Sequence, residues 1–469
     1  MNLFWLRNDF RINDNVAIKK LLEQKINLKA FYLYDEGKFK DRSAQKWWLY
    51  KSLESLEKKL FNLDIKFEIF FEKEFVFFDK FIKKNKINKI FWNTIDLPDE
   101  KKIENEIISL FKKNNIEFNV FSSNLLQKPE ETVKKDGTPF QVFTPFWKNA
   151  EEKYISSKNY SPIEIGKVKN KIFKSENIKK IQKILPNKKW YLKFSKYWEP
   201  GEDIAENKIK SFLKVKINNY HNTRDIPSVE GTSKISPYLA FGEITSKNIF
   251  YQSSKLKDKK TGYRKYINEI GWREFSYHLI NHFPKMKNKN LRENFDNFPW
   301  SENKTHLKKW KKGETGYPIV DAAMKELYET GWMHNRLRMV VGSFLVKHLR
   351  INWIEGEKYF KDTLLDYDLA NNIAGWQWIA GCGADAAPYF RIFNPMIQGE
   401  KFDPDGIFVK KWLPNLKNIP KKYIHRPWEI PKDISEEIGF NLNKDYFAPI
   451  VDHQQARESA LRAFESIKK

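Results

Sequence analysis

Short apolar runs alternate with amphipathic stretches over the first part of the chain, and this alternation constrains the fold more than any other feature of the sequence. The apolar runs are residues 2–6, 28–34, 65–70, 89–92 and 117–121. Residues 44–60 and 98–113 lie between them and repeat apolar residues with the period of a helix. Strands that alternate with helices at this spacing form parallel sheets. We therefore predict a Rossmann-like α/β domain with a five-stranded parallel sheet over residues 1–126, able to bind a ligand beyond the carboxyl ends of its strands.

The rest of the chain has a different pattern. Prolines and Lys- and Asn-rich segments dominate residues 127–200, which we interpret as a connection between two domains. Beyond Gly201 the apolar period is helical almost throughout. The candidate helices are residues 204–214, 237–252, 262–282, 319–330 and 334–349. We predict an all-helical second domain over residues 201–469.

The charge of the chain is strongly positive. Lys and Arg number 85 against 60 Asp and Glu, which gives a formal net charge of +25. This excess suggests a polyanionic partner such as DNA or RNA. A general bias toward Lys would raise the charge in the same way without any binding site, so the charge alone leaves both interpretations open.

The cysteine content and the N-terminus exclude several classes of protein. Cys382 is the single cysteine, so an intramolecular disulfide and any four-thiolate zinc or iron–sulfur site are ruled out. Arg7 and Asp9 come too early for the apolar part of a signal peptide, and no uncharged apolar run is long enough to span a bilayer. We expect a soluble, cytoplasmic protein with no membrane partner.

Two motifs that could indicate dinucleotide binding or metal binding lack the structural context that such sites require. Residues 381–386 fit the GxGxxA pattern of dinucleotide-binding turns, but they follow a helical run instead of a strand. His278 and His282 are four residues apart on a predicted helix, yet no third ligand accompanies them. We interpret them as ordinary core or surface histidines and predict no metal site.

Two other segments suit a polar ligand. Residues 230–237 place a glycine, hydroxyl groups and a lysine before a predicted helix, which favours a phosphate, although an ordinary N-cap followed by proline explains the same pattern. Asp368, Asn372 and Trp376 are four apart, so a helix would place an acid, an amide and an indole on one face. Such a face favours a heteroaromatic ligand over plain core packing.

Two further predicted helices carry similar mixed faces. These faces contain Glu269, Trp272 and Arg273 in one helix, and Asn335, Arg338 and Met339 in the other. Solvated salt-bridge edges are the usual explanation for such charges. Three polar–aromatic faces in one helical domain indicate a cavity instead.

Several longer motifs resemble those of the photolyase/cryptochrome family. They are WLRNDFR through DN at residues 5–15, TGYPIVDAAM at 315–324, GWMHNRLRM at 331–339, DYDLANNIAGWQW at 366–378, and NP through QGEKFD at 394–403. The motifs extend over both predicted domains. The resemblance implies an antenna domain over residues 1–126 and a helical, FAD-binding catalytic domain over residues 201–469 that holds a folded, U-shaped FAD.

Within the family, the sequence is most similar to class I photolyases, which repair cyclobutane pyrimidine dimers in DNA. Asn335 and Met339 stand where (6-4) photolyases typically place histidines. Asn372 stands where plant cryptochromes have an aspartate facing flavin N5, and Trp378 stands where plant and DASH-type cryptochromes tend to have a tyrosine. The single cysteine excludes the iron–sulfur bacterial branch.

The resemblance implies light-dependent repair, in which photoexcited, reduced anionic FAD passes one electron to a dimer flipped out of UV-damaged DNA. Residues implied to hold FAD are Tyr220, Thr232, Ser233, Lys234, Ile235, Ser236, Arg338, Asp366, Asp368 and Asn372, with Asp366 paired to Arg338. Trp376, Trp353 and Trp300 match the tryptophan chain that photoreduces the flavin. Aromatic core packing is the alternative explanation for these three.

A second implied set would bind the lesion, and the resemblance implies a monomer acting on UV-damaged DNA. Arg224, Arg336 and Arg391 would clamp phosphates, while Trp272 and Trp378 would form an apolar wall beside the flipped dimer. Glu269 would hydrogen-bond the dimer carbonyls, Asn335 would bridge dimer and adenine, and Met339 would pack against the damaged bases. The alternatives to repair are a cryptochrome-like blue-light sensor and a nucleic-acid-binding protein that merely retains flavin.

The sequence departs from the family in its antenna region. In residues 93–102, Glu100 is kept, but the tyrosines and the arginine of the family's folate-binding stretch are missing. This argues against a methenyl-folate antenna. A deazaflavin, a second flavin and an empty site all stay open.

Overall fold

The structure is a computed structural model that describes residues 1–122, 124–156, 160–166, 172–256, 261–386 and 390–468. The chain folds into two compact units. Unit 1 comprises Met1–Asn218, Ser233–Pro284 and Leu365–Ala370, and unit 2 comprises Asn219–Thr232, Lys285–Leu364 and Asn371–Lys469. The domain boundaries predicted at residues 126 and 200 stay a prediction.

Unit 1 contains the predicted parallel sheet, with the strand order β3-β2-β1-β4-β5. Its five strands are β1 (Asn2–Leu6), β2 (Leu28–Leu33), β3 (Lys66–Phe70), β4 (Lys89–Asn93) and β5 (Glu117–Phe121). Every residue of the central strand β1 is buried, which is why its sequence after Asn2 is an uninterrupted apolar run. The α/β prediction is confirmed.

Helices cover both faces of this sheet. They are α1 (Val16–Leu22), α2 (Ser43–Asn62), α3 (Glu74–Lys84) and α4 (Pro98–Lys113). On one face, Trp5 and Trp92 pack with Phe78 of α3 and Phe111 of α4, and the Trp5 and Phe78 ring centroids are 4.9 Å apart. Phe4 points to the opposite face and is also buried.

The part of the chain after the sheet is helical, as predicted. Its helices are α5 (Phe143–Ser156), α6 (Ile178–Gln182), α7 (Glu202–Val215), α8 (Tyr220–Thr223), α9 (Ser236–Ala240), α10 (Ser246–Ser254), α11 (Thr261–His282), α12 (Lys304–Lys312), α13 (Pro318–Thr330), α14 (Asn335–Ser343), α15 (Trp353–Thr363), α16 (Leu369–Ala380), α17 (Pro395–Phe402), α18 (Ile407–Trp412), α19 (Lys432–Glu437) and α20 (His453–Glu465). A π turn, Phe344–His348, follows α14, so the helix predicted at 334–349 changes its hydrogen bonding after Ser343. Among the described residues, no helix has the length and apolar character needed to cross a membrane.

The single helix predicted at residues 237–252 is wrong, because α9 and α10 are separated by a turn. Gly242 has a φ of +60°, outside the helical region, and a β-carbon there would lie 2.1 Å from the carbonyl oxygen of Asn8. Thr245 then caps α10, since its Oγ1 accepts a hydrogen bond from the Asn248 backbone N–H at 2.9 Å. A contact from a distant part of the sequence therefore decides where the helix breaks.

The segment that follows β1 holds this turn in place. Asn8 Nδ2 donates to the carbonyl oxygen of Ala240 at 3.0 Å, and Arg11 Nη1 donates to that of Gly242 at 2.7 Å. Arg11 is 2% exposed. The N-terminal motif at residues 5–15 therefore stabilises the turn between α9 and α10 within unit 1.

Candidate active site

The segment Leu365–Ala370, here called the aspartate segment, carries two carboxylates that hydroxyl groups hold. Ser236 Oγ, in the first residue of α9, donates to Asp366 Oδ2 at 2.6 Å. Tyr277 OH, in α11, donates to Asp368 Oδ2 at 2.6 Å. Hydrogen bonds to ionised acceptors are short and stronger than those between neutral groups. Both carboxylates that the resemblance assigns to FAD therefore have a defined partner within unit 1.

Helix α2 fixes the backbone of the aspartate segment. Gln45 Nε2 donates to the carbonyl oxygens of Tyr367 at 2.8 Å and Leu365 at 3.4 Å. The guanidinium carbon of Arg42 lies 5.0 Å from the centroid of the Tyr367 ring. Because Gln45 is buried, it keeps these carbonyl groups satisfied away from water.

The candidate phosphate-binding residues lead into α9. Ile235 is the N-cap of this helix, and no side chain caps it. Lys234 has a φ of +49°, so the chain turns sharply just before the helix. The structure does not support an ordinary side-chain cap here, because the Ser236 hydroxyl donates to Asp366. Phosphate binding by residues 232–236 stays a prediction.

Helix α11 presents Trp272 as a flat, supported ring. The Phe143 ring stacks on Trp272 with ring centroids 3.9 Å apart and an interplanar angle of 7°. Gly271 lets α11 approach α5, since a β-carbon there would lie 2.5 Å from the Trp147 ring. Glu269 lies about one turn before Trp272 and is half-buried. An indole fixed in this way suits stacking against a base.

Arg273 turns toward other residues of unit 1. Its Nη1 donates to Ser246 Oγ at 3.0 Å and to Glu274 Oε1 at 3.2 Å. Its guanidinium carbon lies 4.9 Å from the centroid of the Tyr277 ring. Burial raises the pKa of Glu274 to about 6, although Arg273 opposes this shift. Arg273 therefore packs on Tyr277, the residue that donates a hydrogen bond to Asp368 of the aspartate segment.

In unit 2, the structure brings three of the predicted lesion-binding residues together around Asp225. Arg336 Nη2 lies 2.9 Å from Asp225 Oδ2, and Arg224 Nε lies 3.8 Å from Asp225 Oδ1. Met339 Sδ is 3.9 Å from Arg336 Nη1. The Arg336 guanidinium carbon also lies 4.3 Å from the Phe402 ring centroid. Asp225 holds the two arginines in one place.

The start of α14 contains a buried, neutral histidine. His334 is the N-cap, and its Nδ1 accepts a hydrogen bond from the Arg336 backbone N–H at 3.2 Å. Burial lowers the pKa of His334 to about 4. Asn335, the next residue, is exposed, and Arg338 Nε donates to the Met333 carbonyl oxygen at 2.9 Å. The predicted pairing of Arg338 with Asp366 stays a prediction.

Helix α16 carries Asn372 and Trp378, both half-buried. Asn372 Nδ2 donates to Glu357 Oε1 of α15 at 3.3 Å. The amide side chain therefore has a carboxylate partner within unit 2. The predicted contact of Asn372 with flavin N5 stays a prediction.

The three tryptophans of the predicted electron chain have different surroundings. Trp376 and Trp353 are 2% and 1% exposed, and Trp300 is half-buried. A β-carbon on Gly356 would lie 2.2 Å from the Trp376 ring, so α15 packs directly on this indole. Trp353 Nε1 donates to Asn290 Oδ1 at 2.9 Å. Trp376 is therefore packed in an aromatic core, as the alternative explanation expects. Electron transfer through the three rings stays a prediction.

Lys347 supports the segment that carries Arg391. Arg391 is exposed, whereas Lys347 is buried in the π turn. Lys347 Nζ donates to the Arg391 carbonyl oxygen and lies 4.4 Å from the Phe390 ring centroid. Burial lowers the pKa of Lys347 to about 7.

Charged side chains occupy the carboxyl ends of β1 and β2. Arg7 Nη2 lies 2.8 Å from Glu100 Oε2, and Lys38 Nζ lies 2.7 Å from Glu100 Oε1. Arg7 also pairs with Glu104, and Lys38 with Glu74. Burial opposes the ionisation of Glu100, but Lys38 and Arg7 outweigh it and lower the pKa. We call these five residues the strand-end network.

Each unit, taken by itself, offers polar groups whose chemistry suits a flavin nucleotide. In unit 1, Ser236, Asp366 and Asp368 offer a hydroxyl group and carboxylates suited to sugar hydroxyls and ring N–H groups. In unit 2, His334 Nε2 and Trp376 Nε1 are buried and have no hydrogen-bond partner among the residues that the structure describes. Buried polar atoms of this kind are usually satisfied, and a bound polar ligand would satisfy them.

Sequence reasoning missed several residues that the site uses. They are Asp225, Tyr277, Lys347 and Glu357. Lys347 gave a signal, since it interrupts the apolar run FLVKHL at residues 344–349. The other three look like ordinary surface or helix residues in the sequence. His278 Nε2 and His282 Nε2 lie 3.1 Å from the backbone carbonyl oxygens of Phe140 and Pro129, and the prediction that they bind no metal stays a prediction.

Comparisons with known proteins identify the family of the chain. The model of the DNA photolyase family matches residues 2–164, and the model of the FAD binding domain of DNA photolyase matches residues 266–466. A deoxyribodipyrimidine photo-lyase of Agrobacterium fabrum is 39% identical over 473 residues, which cover 100% of this chain and 98% of that protein.

Two solved structures are similar over almost the whole chain. A class III photolyase from Agrobacterium tumefaciens has a TM-score of 0.92 and 38% identity, covering 100% of this chain and 97% of that chain. A cryptochrome of Synechocystis sp. PCC6803 has a TM-score of 0.86 and 26% identity, covering 99% of each chain.

These matches define the class as a photolyase-type enzyme with a C-terminal FAD-binding domain. The chain belongs to the photolyase/cryptochrome family. Because the similar Agrobacterium tumefaciens structure is a class III photolyase, the assignment to class I stays a prediction.

Proposed function

We propose that this protein is a deoxyribodipyrimidine photo-lyase that repairs cyclobutane pyrimidine dimers in UV-damaged DNA under light. The main support is the arrangement on α11, where Phe143 stacks on Trp272 at 3.9 Å and Glu269 lies about one turn away. A flat apolar ring beside a carboxyl group suits a crosslinked base pair, which presents an apolar surface and several carbonyl groups.

The residues of unit 1 would bind the cofactor and the lesion. When bound, reduced FAD supplies the excited electron that splits the dimer. Ser236, Asp366 and Asp368 would hold FAD by hydrogen bonds. Glu269 would hydrogen-bond the dimer carbonyls, and Trp272 would keep water away from one side of the dimer.

The residues of unit 2 would bind the DNA backbone and the damaged bases. Arg224 and Arg336 meet at Asp225, and Arg391 is exposed, so all three offer N–H donors to phosphates. Trp378, Asn335 and Met339 would contact the bases. The formal net charge of +25 supports a polyanionic partner, with affinity that falls as salt rises. Each phosphate contact contributes about 0.9 to the slope of log K against log salt, so Arg391→Gln should lower this slope by about that amount.

A dimer-loss assay tests the proposed activity. We expect the purified protein to contain flavin and to remove thymine dimers from DNA under near-UV or blue light, but not in the dark. Glu269→Ala should keep its flavin and lose about tenfold or more of the repair rate, since one hydrogen bond to the lesion is gone. Glu355→Ala is the matched control and should repair at the wild-type rate, because Glu355 is a half-buried glutamate whose ion pair with Lys358 lies at the surface.

The second candidate function is a cryptochrome-like blue-light sensor, which the similarity to the Synechocystis cryptochrome supports. A sensor would bind flavin fully and respond to light without removing dimers. Full flavin content with no light-dependent loss of dimers would therefore favour the sensor and remove the repair proposal.

We also propose that Trp376, Trp353 and Trp300 carry electrons to oxidised flavin. Trp353→Phe should slow photoreduction about tenfold or more, since the middle ring of the chain is lost, yet spare repair by enzyme already reduced with dithionite. Trp428→Phe is a matched control, because Trp428 packs on Tyr317, with ring centroids 5.4 Å apart. Unchanged photoreduction in Trp353→Phe would exclude Trp353 from this role.

The antenna region supports no methenyl-folate. Glu100, which the resemblance connects with the folate stretch, lies between Arg7 and Lys38. An absorption spectrum of the purified holoprotein distinguishes the remaining possibilities, because flavins, deazaflavins and folates absorb at different wavelengths. A folate band would contradict this proposal.

A further inference from the structure

We propose that Tyr277 is a positioning residue for the cofactor, whose hydroxyl group fixes the Asp368 carboxylate in the orientation that holds FAD. The inference rests on the proposed role of Asp368 in FAD binding. Neither the family motifs nor the comparisons assign any role to Tyr277.

The geometry of the bond is well suited to this task. Tyr277 OH donates to Asp368 Oδ2 at 2.6 Å, although the two residues are 91 positions apart in the sequence. Tyr277 is 7% exposed, so water does not compete freely for the bond. An aspartate side chain has two rotatable bonds, and one strong donor at a fixed place selects among its rotamers.

Tyr277 is itself held firmly. The Arg273 guanidinium carbon lies 4.9 Å from the centroid of its ring. Arg273 in turn donates to Ser246 Oγ at 3.0 Å and to Glu274 Oε1 at 3.2 Å. The Tyr277 backbone carbonyl oxygen accepts a hydrogen bond from Asn281 Nδ2 at 2.8 Å. The support therefore runs from α10 and α11 to the aspartate segment.

The proton stays on the tyrosine oxygen. Burial, followed by the nearby charge of Asp368, raises the pKa of Tyr277 well above its usual value. The hydroxyl group therefore keeps its proton at neutral pH and donates it to Asp368. It orients the carboxylate without adding a charge of its own.

A second bond of the same kind provides a control inside the same molecule. Tyr446 OH donates to Asp321 Oδ2 at 2.6 Å, and both residues are buried in unit 2. Asp321 also accepts hydrogen bonds from the Thr315 backbone N–H at 2.8 Å and from the Gly316 backbone N–H at 3.0 Å. That carboxylate closes a loop, whereas Asp368 lies just before α16 in the motif that the resemblance connects with FAD.

The test measures FAD release from the holoprotein, followed by the rise in flavin fluorescence. Tyr277→Phe removes only the hydroxyl group, and we expect FAD to leave about tenfold faster, the effect of losing one hydrogen bond to a charged group. Tyr446→Phe loses an equivalent buried bond and should release FAD within about twofold of wild type, even if both variants lose similar stability. Equal release from Tyr277→Phe and wild type would overturn the proposal.

A double-mutant cycle tests whether Tyr277 acts through Asp368. In the Asp368→Asn background, Tyr277→Phe should change FAD release by less than about twofold. The same tenfold effect in both backgrounds would show that Tyr277 acts independently and would also overturn the proposal. Should Tyr277→Phe give no soluble protein, Arg273→Met loosens the ring and should speed release about threefold. No change in that variant would count against the proposal.

This test is separate from the test of repair. Asp368→Asn with wild-type FAD release would remove the cofactor role of Asp368 and the positioning role of Tyr277, while dimer repair could still be observed. Fast FAD release from Tyr277→Phe in a protein that repairs no dimers would support the positioning role and remove the repair function.

Discussion

The strand-end network and the aspartate segment both place carboxylates in buried parts of unit 1, but they hold them with different donors. Glu100 lies between two cations, Arg7 and Lys38. Asp368 accepts a hydrogen bond from the neutral hydroxyl group of Tyr277. Cationic donors neutralise a carboxylate, whereas a hydroxyl group orients it and leaves its charge in place. The donors that contact the two carboxylates directly therefore differ in charge, and we propose that the strand-end network stabilises the fold while the aspartate segment binds a ligand.

Among the substitutions that test this comparison, Arg7→Met should change the free energy of unfolding most. It leaves Glu100 and Glu104 buried with one cation fewer. Removing one partner of a buried ion pair costs about 3–5 kcal/mol, so urea unfolding should show a decrease of that size in the free energy of unfolding. Lys20→Met breaks an exposed pair with Glu23 and is the control, with a change below about 0.5 kcal/mol. Equal effects of the two variants would contradict the role of the network.

Glu243 extends the comparison to pH dependence, because the described residues that donate hydrogen bonds to it are neutral. Ser52 Oγ donates to it at 2.6 Å and Trp48 Nε1 at 3.2 Å, and burial raises its pKa to about 8. Between its ordinary pKa of 4.5 and about 8, the unfolded chain releases a proton that the folded chain keeps. The free energy of unfolding therefore falls as pH rises through this window.

The glutamine in Glu243→Gln cannot ionise, so this variant should lack the decrease in the free energy of unfolding that Glu243 causes as pH rises. Its free energy of unfolding relative to wild type should rise between about pH 5 and pH 8, as measured by urea unfolding at each pH. Glu355→Gln changes a half-buried glutamate that pairs with Lys358 at the surface, and it should show a constant difference over the same range. A constant difference for Glu243→Gln would mean that Glu243 is ionised in the folded protein.

Ser236→Ala should have the smallest effect on stability. It removes one hydroxyl donor from Asp366, which costs about 1 kcal/mol in the free energy of unfolding. FAD release should nevertheless become faster, while Arg7→Met should leave FAD release from folded holoprotein near the wild-type rate. The division between the two groups fails if Arg7→Met speeds FAD release as much as Ser236→Ala.

The sequence predicted those elements that local rules determine. Helix α4 was predicted at residues 98–113, as observed, because Pro98 opens it, Asp99 and Glu100 lie in its first turn, and Lys112 and Lys113 lie in its last turn. The strands were predicted within one residue at each end, because short apolar-rich runs alternate with amphipathic stretches along the sequence. The residues implied to bind FAD and the lesion came from the family resemblance and not from these rules.

The features that were missed depend on contacts between distant residues. The break between α9 and α10 depends on Gly242 lying against Asn8. Trp272 is supported by Phe143, which lies in the segment interpreted as a connection between domains. Tyr277 looks like any helix tyrosine until Asp368 is placed beside it. Local periodicity contains no information about such pairs.

The bonds between the end of β1 and the turn before α10 have a consequence for biosynthesis. Asn8 and Arg11 donate to carbonyl oxygens 232 and 231 positions later in the chain. A ribosome must therefore deliver residue 242 before these donors meet their acceptors. Until then, the Arg11 guanidinium can donate to the Asp14 carbonyl oxygen at 3.0 Å and to Asn124 Oδ1 at 3.1 Å, but not to Gly242. The segment that follows β1 should therefore gain its last hydrogen bonds only after residue 242 is synthesised, although the strands that pair with β1 are complete by residue 93.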